Sequence, residues 1–277
     1  MSVRQISINF ANKLLICITM RFKLTLKIDR KYGDNLPFNY QYEQSAVIYR
    51  ILAQADKQYA SWLHANGYSQ SGTKRFKLFT YSPFIFDRVH AVPQCGCLNI
   101  IGNMATWYIS FIPEKSTSEF VHGVFSHQRF TIGNRIFKVA FDIVNIEASV
   151  TPSFYEDVVF KALSPVCVKM HEANRVKYLA PSDPLFVQGI INGLMAKYEI
   201  IHGHPLTISN EEMSIEIVDD KIKSKLVTIK SETASETKVR GFLFLFRLRL
   251  PLELMRIAYE GGIGEQCSQG FGFININ

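Results

Sequence analysis

The amino-acid sequence predicts an α+β fold made of two ferredoxin-like units in tandem. In the first half, hydrophobic periodicity predicts the order strand, helix, strand, strand, helix, strand, which is the order of a ferredoxin-like unit. The second half gives the same order, although no repeat is visible between the two halves in the residues themselves. The length of 277 residues accommodates two units of about 130 residues each. We place the N-terminal unit at residues 20–150 and the C-terminal unit at residues 151–277.

The first unit begins with an alternating strand, because apolar side chains recur at every second position from Phe22 to Ile28. Helical spacing predicts a helix over residues 43–54, and Asp56 can cap a second helix over residues 57–64. A strand at residues 76–82 follows. The remaining predicted elements are a hairpin of residues 99–102 and 105–111, a helix at 116–126, and one or two strands within 129–145.

The second unit follows the same order. Residues 160–164 and 167–170 have strand-like patterns, and Asp183-Pro184 starts a helix over residues 185–201, since proline fits the first turn. Residues 239–250 predict one long strand, with Phe242, Phe244, Phe246, Leu248 and Leu250 on one face. The other predicted elements are strands at 214–217 and 226–229 and a short helix at 252–259.

A glycine-rich stretch, GGIGEQCSQGFGF, lies at residues 261–273, and four residues follow it. Glycine allows positive φ and close approach of another group, so such a loop suits contact with an anion or a nucleic acid. The alternative interpretation is a turn that joins a helix to the final strand. A dinucleotide fingerprint is excluded because no helix follows the glycines, and a P-loop is excluded because Gly-Lys-Ser/Thr is missing.

Composition favours an anionic partner. The formal net charge is +7, which fits a nucleic acid or a membrane surface. The sequence contains no apolar run of about 18 residues, so no transmembrane helix is predicted. The five cysteines are scattered and do not form zinc half-sites, so reduced thiols in a cytoplasm are expected. His202 and His204 lack a nearby ligating partner, so no metal site is predicted.

Two motifs carry a family resemblance. The run AYEGGIGEQCSQGFGFI resembles the C-terminal glycine-rich loop of the RAMP superfamily of CRISPR RNA-binding proteins. The block LPFNYQYEQSAVIYRILAQADKQYASWLHANGY, with KLFTYS downstream, resembles the N-terminal block of the repeat-cleaving endoribonucleases in that superfamily. The resemblance implies the tandem ferredoxin-like fold and a natural start near Met20. We therefore interpret residues 1–19 as an over-called extension.

The resemblance also implies three catalytic residues. The tyrosine of the IY pair is Tyr49, the histidine of the LH pair is His64, and the lysine before LFTYS is Lys77. RNA carries its own nucleophile, the 2′-OH, so metal-free cleavage needs an acid and a base, for which histidine is suited, and a cation for the developing charge. Without the resemblance, the same residues fit a helix-core tyrosine, a histidine at a helix C-terminus and a solvated lysine.

The implied function is a cytoplasmic endoribonuclease, independent of metal and cofactor, that cleaves CRISPR precursor RNA within its repeats. The expected ends are a 2′,3′-cyclic phosphate or 3′-phosphate and a 5′-OH. The alternative is a non-catalytic RNA-binding RAMP subunit of a CRISPR effector complex. The expected partners are repeat RNA and effector subunits, with monomer and homodimer both left open. RNA contacts are predicted from the loop glycines and from distributed basic residues, namely Gly262, Gly264, Gly270, Gly272, Lys74, Arg75, Lys161, Lys169, Arg175, Arg247 and Arg249.

Overall fold

The computed structural model describes residues 20–69, 74–126, 128–149, 151–154, 158–172, 175–207, 213–218, 221–231 and 233–277. The predicted extension, residues 1–19, lies outside the described residues. Within these ranges no helix combines the length and the apolar character needed to cross a membrane.

The first unit is an antiparallel sheet covered by helices. Its elements are β1 (Met20–Asp29), β2 (Asn35–Pro37), α1 (Gln41–Ala55), α2 (Lys57–Ala65), β3 (Phe79–Tyr81), β4 (Ile85–Phe86), β5 (Val89–Val92), β6 (Cys97–Ile100), β7 (Met104–Phe111), α3 (Glu114–Ser126), β8 (Arg129–Gly133) and β9 (Lys138–Ser149). The sheet order is β3-β7-β1-β9-β8, and β4 pairs with β7. The alternating side chains of β1, from Phe22 to Ile28, are buried in the core as predicted.

The second unit repeats this arrangement. Its elements are β10 (Val159–Ala162), β11 (Lys169–Glu172), β12 (Arg175–Tyr178), α4 (Pro184–His202), β13 (Ser214–Ile217), β14 (Lys223–Ile229), β15 (Thr237–Leu243), β16 (Leu245–Arg249), α5 (Leu252–Gly261) and β17 (Ile274–Ile276). Its sheet order is β13-β16-β10-β17. In both units the first strand lies between the third and fourth strands of the ferredoxin-like order, so the predicted tandem fold is confirmed. The boundary between residues 150 and 151 stays a prediction.

The break between α1 and α2 lies where the sequence predicts it. Asp56 has extended backbone angles, φ −141° and ψ 97°, and its side chain accepts a hydrogen bond from the Tyr59 amide at 2.8 Å. This is the geometry of an N-cap, which starts a new helix. A single helix over residues 43–64 is therefore excluded.

The predicted hairpin of residues 99–102 and 105–111 is wrong. β6 pairs with β2 and β5 in a separate three-stranded sheet, whereas β7 pairs with β1 in the main sheet. The segment between β6 and β7 is held by distant residues. The amides of Ile101 and Gly102 donate to the Arg88 carbonyl, and the Arg30 guanidinium donates to the carbonyls of residues 100–102.

The predicted long strand at 239–250 is also wrong, because it divides at Phe244. β15 pairs with β14 in a two-stranded hairpin, whereas β16 joins the main sheet of the second unit. Gly241 packs so closely on Pro165 that an added Cβ would lie 2.7 Å from the Pro165 Cβ atom. The alternation of buried side chains runs from Phe242 to Leu248, across the division at Phe244, so periodicity alone did not reveal the change of partner.

The predicted strand at 76–82 is shorter than expected. Leu78 has φ 55°, in the left-handed region, and the strand begins only at Phe79. Before this strand, Phe76 forms an isolated antiparallel bridge with Tyr68, shortly after α2. The chain around Lys77 therefore pairs with the segment after α2 and not with the main sheet.

Buried polar groups join the two units. Arg21 of β1 is almost fully buried, and its guanidinium donates to the carbonyls of Tyr259 and Ile274. The guanidinium carbon lies 3.5 Å from the centroid of the Tyr259 ring. Glu260, also buried, accepts hydrogen bonds from the hydroxyls of Ser110 and Thr151. The chain from α5 to the last strand is therefore fixed against the first unit.

Candidate active site

Tyr49 and His64 meet because the chain breaks at Asp56 and α2 packs back onto α1. Their ring centroids lie 4.9 Å apart at an interplanar angle of 82°, an edge-to-face contact. Tyr49 is half-buried and also packs against Phe79, whereas the His64 side chain is exposed. An exposed imidazole on a rigid aromatic support is accessible to a ligand.

Lys77 reaches the same place from the segment before β3. Its Nζ donates to the carbonyls of Leu63 at 2.6 Å and His64 at 2.7 Å, which lie at the C-terminal end of α2. The positive charge there complements the helix dipole. An ammonium has three N–H donors, and these carbonyls take two of them. Lys77 thus holds the helix turn that carries His64.

The three residues line one cleft of about 350 Å³. Burial raises the pKa of Tyr49, and the neighbouring Tyr59 and Tyr42 raise it further, so its hydroxyl stays neutral and can donate. Burial lowers the pKa of Lys77, as does the charge of Arg75. The sequence-predicted residues Tyr49, His64 and Lys77 are therefore brought together, and their catalytic roles stay predictions. The other described residues of the cleft are Tyr42, Ser45, Ala46, Lys230, Ser268 and Gln269.

A larger groove of about 780 Å³ adjoins the cleft and shares Lys77, Ser268 and Gln269 with it. Both units line this groove. Three of the predicted basic RNA-binding residues lie there, Lys74, Arg75 and Lys169. The Lys169 ammonium lies 3.3 Å from the Glu265 carboxylate, so part of the positive charge is already paired.

The other predicted basic residues lie away from the lining of this groove. Lys161 is on β10 and Arg175 on β12, both exposed. Arg247 and Arg249 are on β16, where Arg247 pairs with Glu216 at 2.7 Å. RNA contacts by these four residues stay predictions.

The glycine-rich loop is a packed element of the fold. Gly262, Gly264, Gly270 and Gly272 are all buried, with φ between 68° and 91°. The loop closes on itself through a hydrogen bond from the Ile263 amide to the Gly272 carbonyl at 2.9 Å. Of these four glycines only Gly264 lines the groove, so the part of the loop that faces it is mainly residues 265–269. RNA contact by the four glycines stays a prediction.

Both units hold the loop from outside. Ser45 of α1 donates to the Ser268 carbonyl at 2.7 Å, and the Glu265 amide donates to the Cys167 carbonyl at 2.7 Å. Lys197 of α4 is only 2% exposed. Its ammonium donates to the carbonyls of Gly261 at 3.0 Å and Gly262 at 2.6 Å.

Sequence reasoning missed several of these residues. Lys197 had a usable signal, because helical spacing places it on the face of α4 that buries Ile190 and Leu194. A lone lysine on such a face needs a specific partner. Lys230 and Ser45 gave no local signal, since only the fold brings them to the cleft.

The described residues contain no group of three or more His, Cys, Asp or Glu side chains arranged to hold a metal ion. Metal independence itself stays a prediction that cleavage assays test.

Family models and relatives agree on one family. Residues 35–142 match a model described as "CRISPR-associated protein Cas6, N-terminal". Residues 149–276 match one described as "CRISPR associated protein Cas6, C-terminal". The two matches follow one another along the chain and lie on the first and second unit.

Relatives are similar over nearly their whole length. CRISPR-associated endoribonuclease Cas6 1 of Methanocaldococcus jannaschii is 26% identical over 92% of this chain and 92% of its own. CRISPR-associated endoribonuclease Cas6 of Pyrococcus furiosus is 26% identical over 93% of this chain and 90% of its own. A solved structure described as an RAMP protein binding different RNA substrates superposes with a TM-score of 0.77, at 25% identity over 93% and 99% of the two chains. This chain belongs to the Cas6 family of CRISPR-associated proteins.

Proposed function

We propose that this protein is a metal-independent endoribonuclease that cleaves CRISPR precursor RNA within its repeats, in the cytoplasm. One observation carries the proposal: Tyr49, His64 and Lys77 line a single cleft that opens beside a basic groove between the two units. The relatives named as CRISPR-associated endoribonucleases support the same activity. Effector-complex subunits are the further partners proposed.

In the proposed reaction the substrate supplies the nucleophile. The 2′-oxygen attacks the adjacent phosphorus, its proton passes to a base, and the P–O5′ bond breaks as the 5′-oxygen takes up a proton. The products are a 2′,3′-cyclic phosphate, which water can open to a 3′-phosphate, and a 5′-OH end. We assign both proton transfers to the exposed imidazole of His64, which accepts the proton from the 2′-OH and delivers it to the 5′-oxygen. Lys77 stabilises the charge on the phosphorane, and the neutral Tyr49 hydroxyl donates a hydrogen bond to it.

The groove gives the RNA a path to the cleft. Lys74, Arg75 and Lys77 lie on one segment of chain and line the groove. Lys74 and Arg75 contact phosphates of the RNA that leads to Lys77. Phosphate neutralisation makes such binding weaker at higher salt concentration. Lys169 contributes more when an RNA phosphate replaces Glu265 as its partner.

The activity is tested with purified protein and the repeat RNA of the host, incubated in EDTA. We expect the rate to change little on chelation, because the scheme assigns every role to a side chain. Mapping the ends should give a 2′,3′-cyclic phosphate or 3′-phosphate upstream and a 5′-OH downstream. Loss of cleavage in EDTA that a divalent metal restores would contradict the scheme.

The pH dependence should report Lys77. An ordinary lysine has a pKa near 10.4. Because the pKa of Lys77 is lowered, Lys77 loses its positive charge at a lower pH than an ordinary lysine does. Cleavage should therefore decline on the alkaline side before that value. The Lys77→Arg variant stays charged and should lose this decline. The measurement is the single-turnover rate against pH, corrected for protein-free RNA hydrolysis, and identical alkaline profiles would remove Lys77 from the charge role.

The rival function is a non-catalytic RNA-binding subunit. It predicts tight repeat binding without cleavage under any of these conditions. The meeting of Tyr49, His64 and Lys77 in one cleft favours the enzyme.

A further inference from the structure

We propose that Lys230, from the second unit, supplies a second cation to the scissile phosphate. The inference rests on the proposed endoribonuclease function and extends the active site across both units. Lys230 lines the cleft together with Tyr49, His64 and Lys77. It lies at the end of β14, at the turn toward β15, and its side chain is exposed.

The backbone at Lys230 is held in one conformation. Its φ is 52°, in the left-handed region that residues other than glycine seldom adopt. The Lys230 carbonyl accepts hydrogen bonds from the Thr233 hydroxyl at 2.7 Å and the Thr233 amide at 3.3 Å. These bonds fix the turn and so fix the direction in which the lysine leaves the backbone.

The hairpin that carries Lys230 is itself anchored at the cleft. Val227, Ile229 and Val239 are buried and form one cluster with Phe271 of the glycine-rich loop, against which Tyr42 of α1 packs. On the first-unit side, the Thr228 amide donates to the Asn39 side chain at 3.4 Å. The hairpin therefore rests on both the loop and the first unit, immediately before Lys230.

The charge balance of the cleft explains what Lys230 adds. None of the described residues that line the cleft carries a carboxylate. The lining therefore does not neutralise the positive charges of Lys77 and Lys230. The Lys77 ammonium already donates two hydrogen bonds to the carbonyls of Leu63 and His64. A phosphorane carries more negative charge than the starting diester, on two non-bridging oxygens. A second ammonium is favourable there, and most so in the transition state.

The test compares lysines of one hairpin. Lys238 pairs with Thr228 across the hairpin, is exposed and does not line the cleft. We expect Lys230→Ala and Lys230→Gln to lower the single-turnover rate at saturating repeat RNA by about 100-fold. Lys238→Ala should stay within about 2-fold of the wild type, and Lys230→Arg should restore most of the rate.

The outcomes separate this inference from the function on which it rests. A wild-type rate in Lys230→Gln, or weaker binding with an unchanged saturating rate, would overturn the role of Lys230 while the function stands. A wild-type protein that binds repeat RNA and never cuts it would overturn the proposed function and this inference with it. Circular dichroism and the unfolding midpoint of Lys230→Gln should match those of Lys238→Ala, which shows that the loss is not one of folding.

Discussion

Replacement of His64 by alanine is expected to lower the rate of repeat cleavage by about 10²–10⁴-fold, the usual contribution of a general acid or base. Repeat binding should change little, because proton transfer acts in the transition state rather than in the ground state. The fold should persist as well. The His64 side chain is exposed, and what Lys77 holds at this position is the backbone carbonyl, which alanine retains.

The matched control is His90→Ala, since His90 is exposed on β5 and lines neither the cleft nor the groove. It should bind and cleave as the wild type does. Single-turnover cleavage at saturating RNA and equilibrium binding are measured for both variants. Cleavage at the wild-type rate by His64→Ala would remove His64 from the mechanism. Equal losses of binding and cleavage would make it a contact residue only.

The helical hairpin that positions His64 could be predicted because its causes are local. Asp56 caps the amide three residues ahead, and such a cap is readable in the sequence. Tyr49 and His64 are 15 residues apart, about 22 Å along one straight helix. Only a break between them lets them share a cleft, so the cap at Asp56 and a site shared by Tyr49 and His64 require the same break in the helix.

The features that sequence reasoning missed have causes distant in sequence. The segment that leaves β6 is held by Arg30, 70 residues before Ile100, and the backbone at Phe242 and Phe244 bonds to residues 162–166. Lys230 enters the cleft because a hairpin of the second unit packs on the glycine-rich loop. Periodicity reports which face of a segment is buried, and it does not report against what.

The glycine-rich loop shows the same limit. Its composition predicts open backbone suited to an anion, yet the space beside these glycines is occupied largely by the protein itself. An added Cβ would lie 2.5 Å from the Cys167 carbonyl oxygen at Gly264 and 2.7 Å from the Gln41 Cβ at Gly270. The loop therefore positions residues 265–269 at the cleft and groove, and any contact of its glycines with RNA adds to that structural requirement.

Gly272→Ala should destabilise the protein strongly. Gly272 has φ 68°, which costs an alanine about 1–2 kcal/mol. The new Cβ would lie 2.0 Å from the Ile263 carbonyl oxygen, and overpacking of this kind costs about 1–3 kcal/mol more. Phe271 and Phe273 on either side are fully buried, so the loop has no room to shift. Because the clash can be relieved only by disrupting this packing, Ser268 and Gln269 lose their place in the cleft, and repeat binding falls together with stability.

The Gly203→Ala variant separates the cost of positive φ from the cost of the steric clash. Gly203 follows α4 with φ 79°, and an added Cβ there would meet no atom within 4 Å. This variant should lose only the conformational share, about 1–2 kcal/mol, and should bind repeat RNA normally. Urea unfolding of both variants, with RNA binding measured at a temperature where each is folded, gives the comparison. Equal losses of stability in the two variants would contradict the clash, and the loop would then be an ordinary connector whose glycines serve conformation alone.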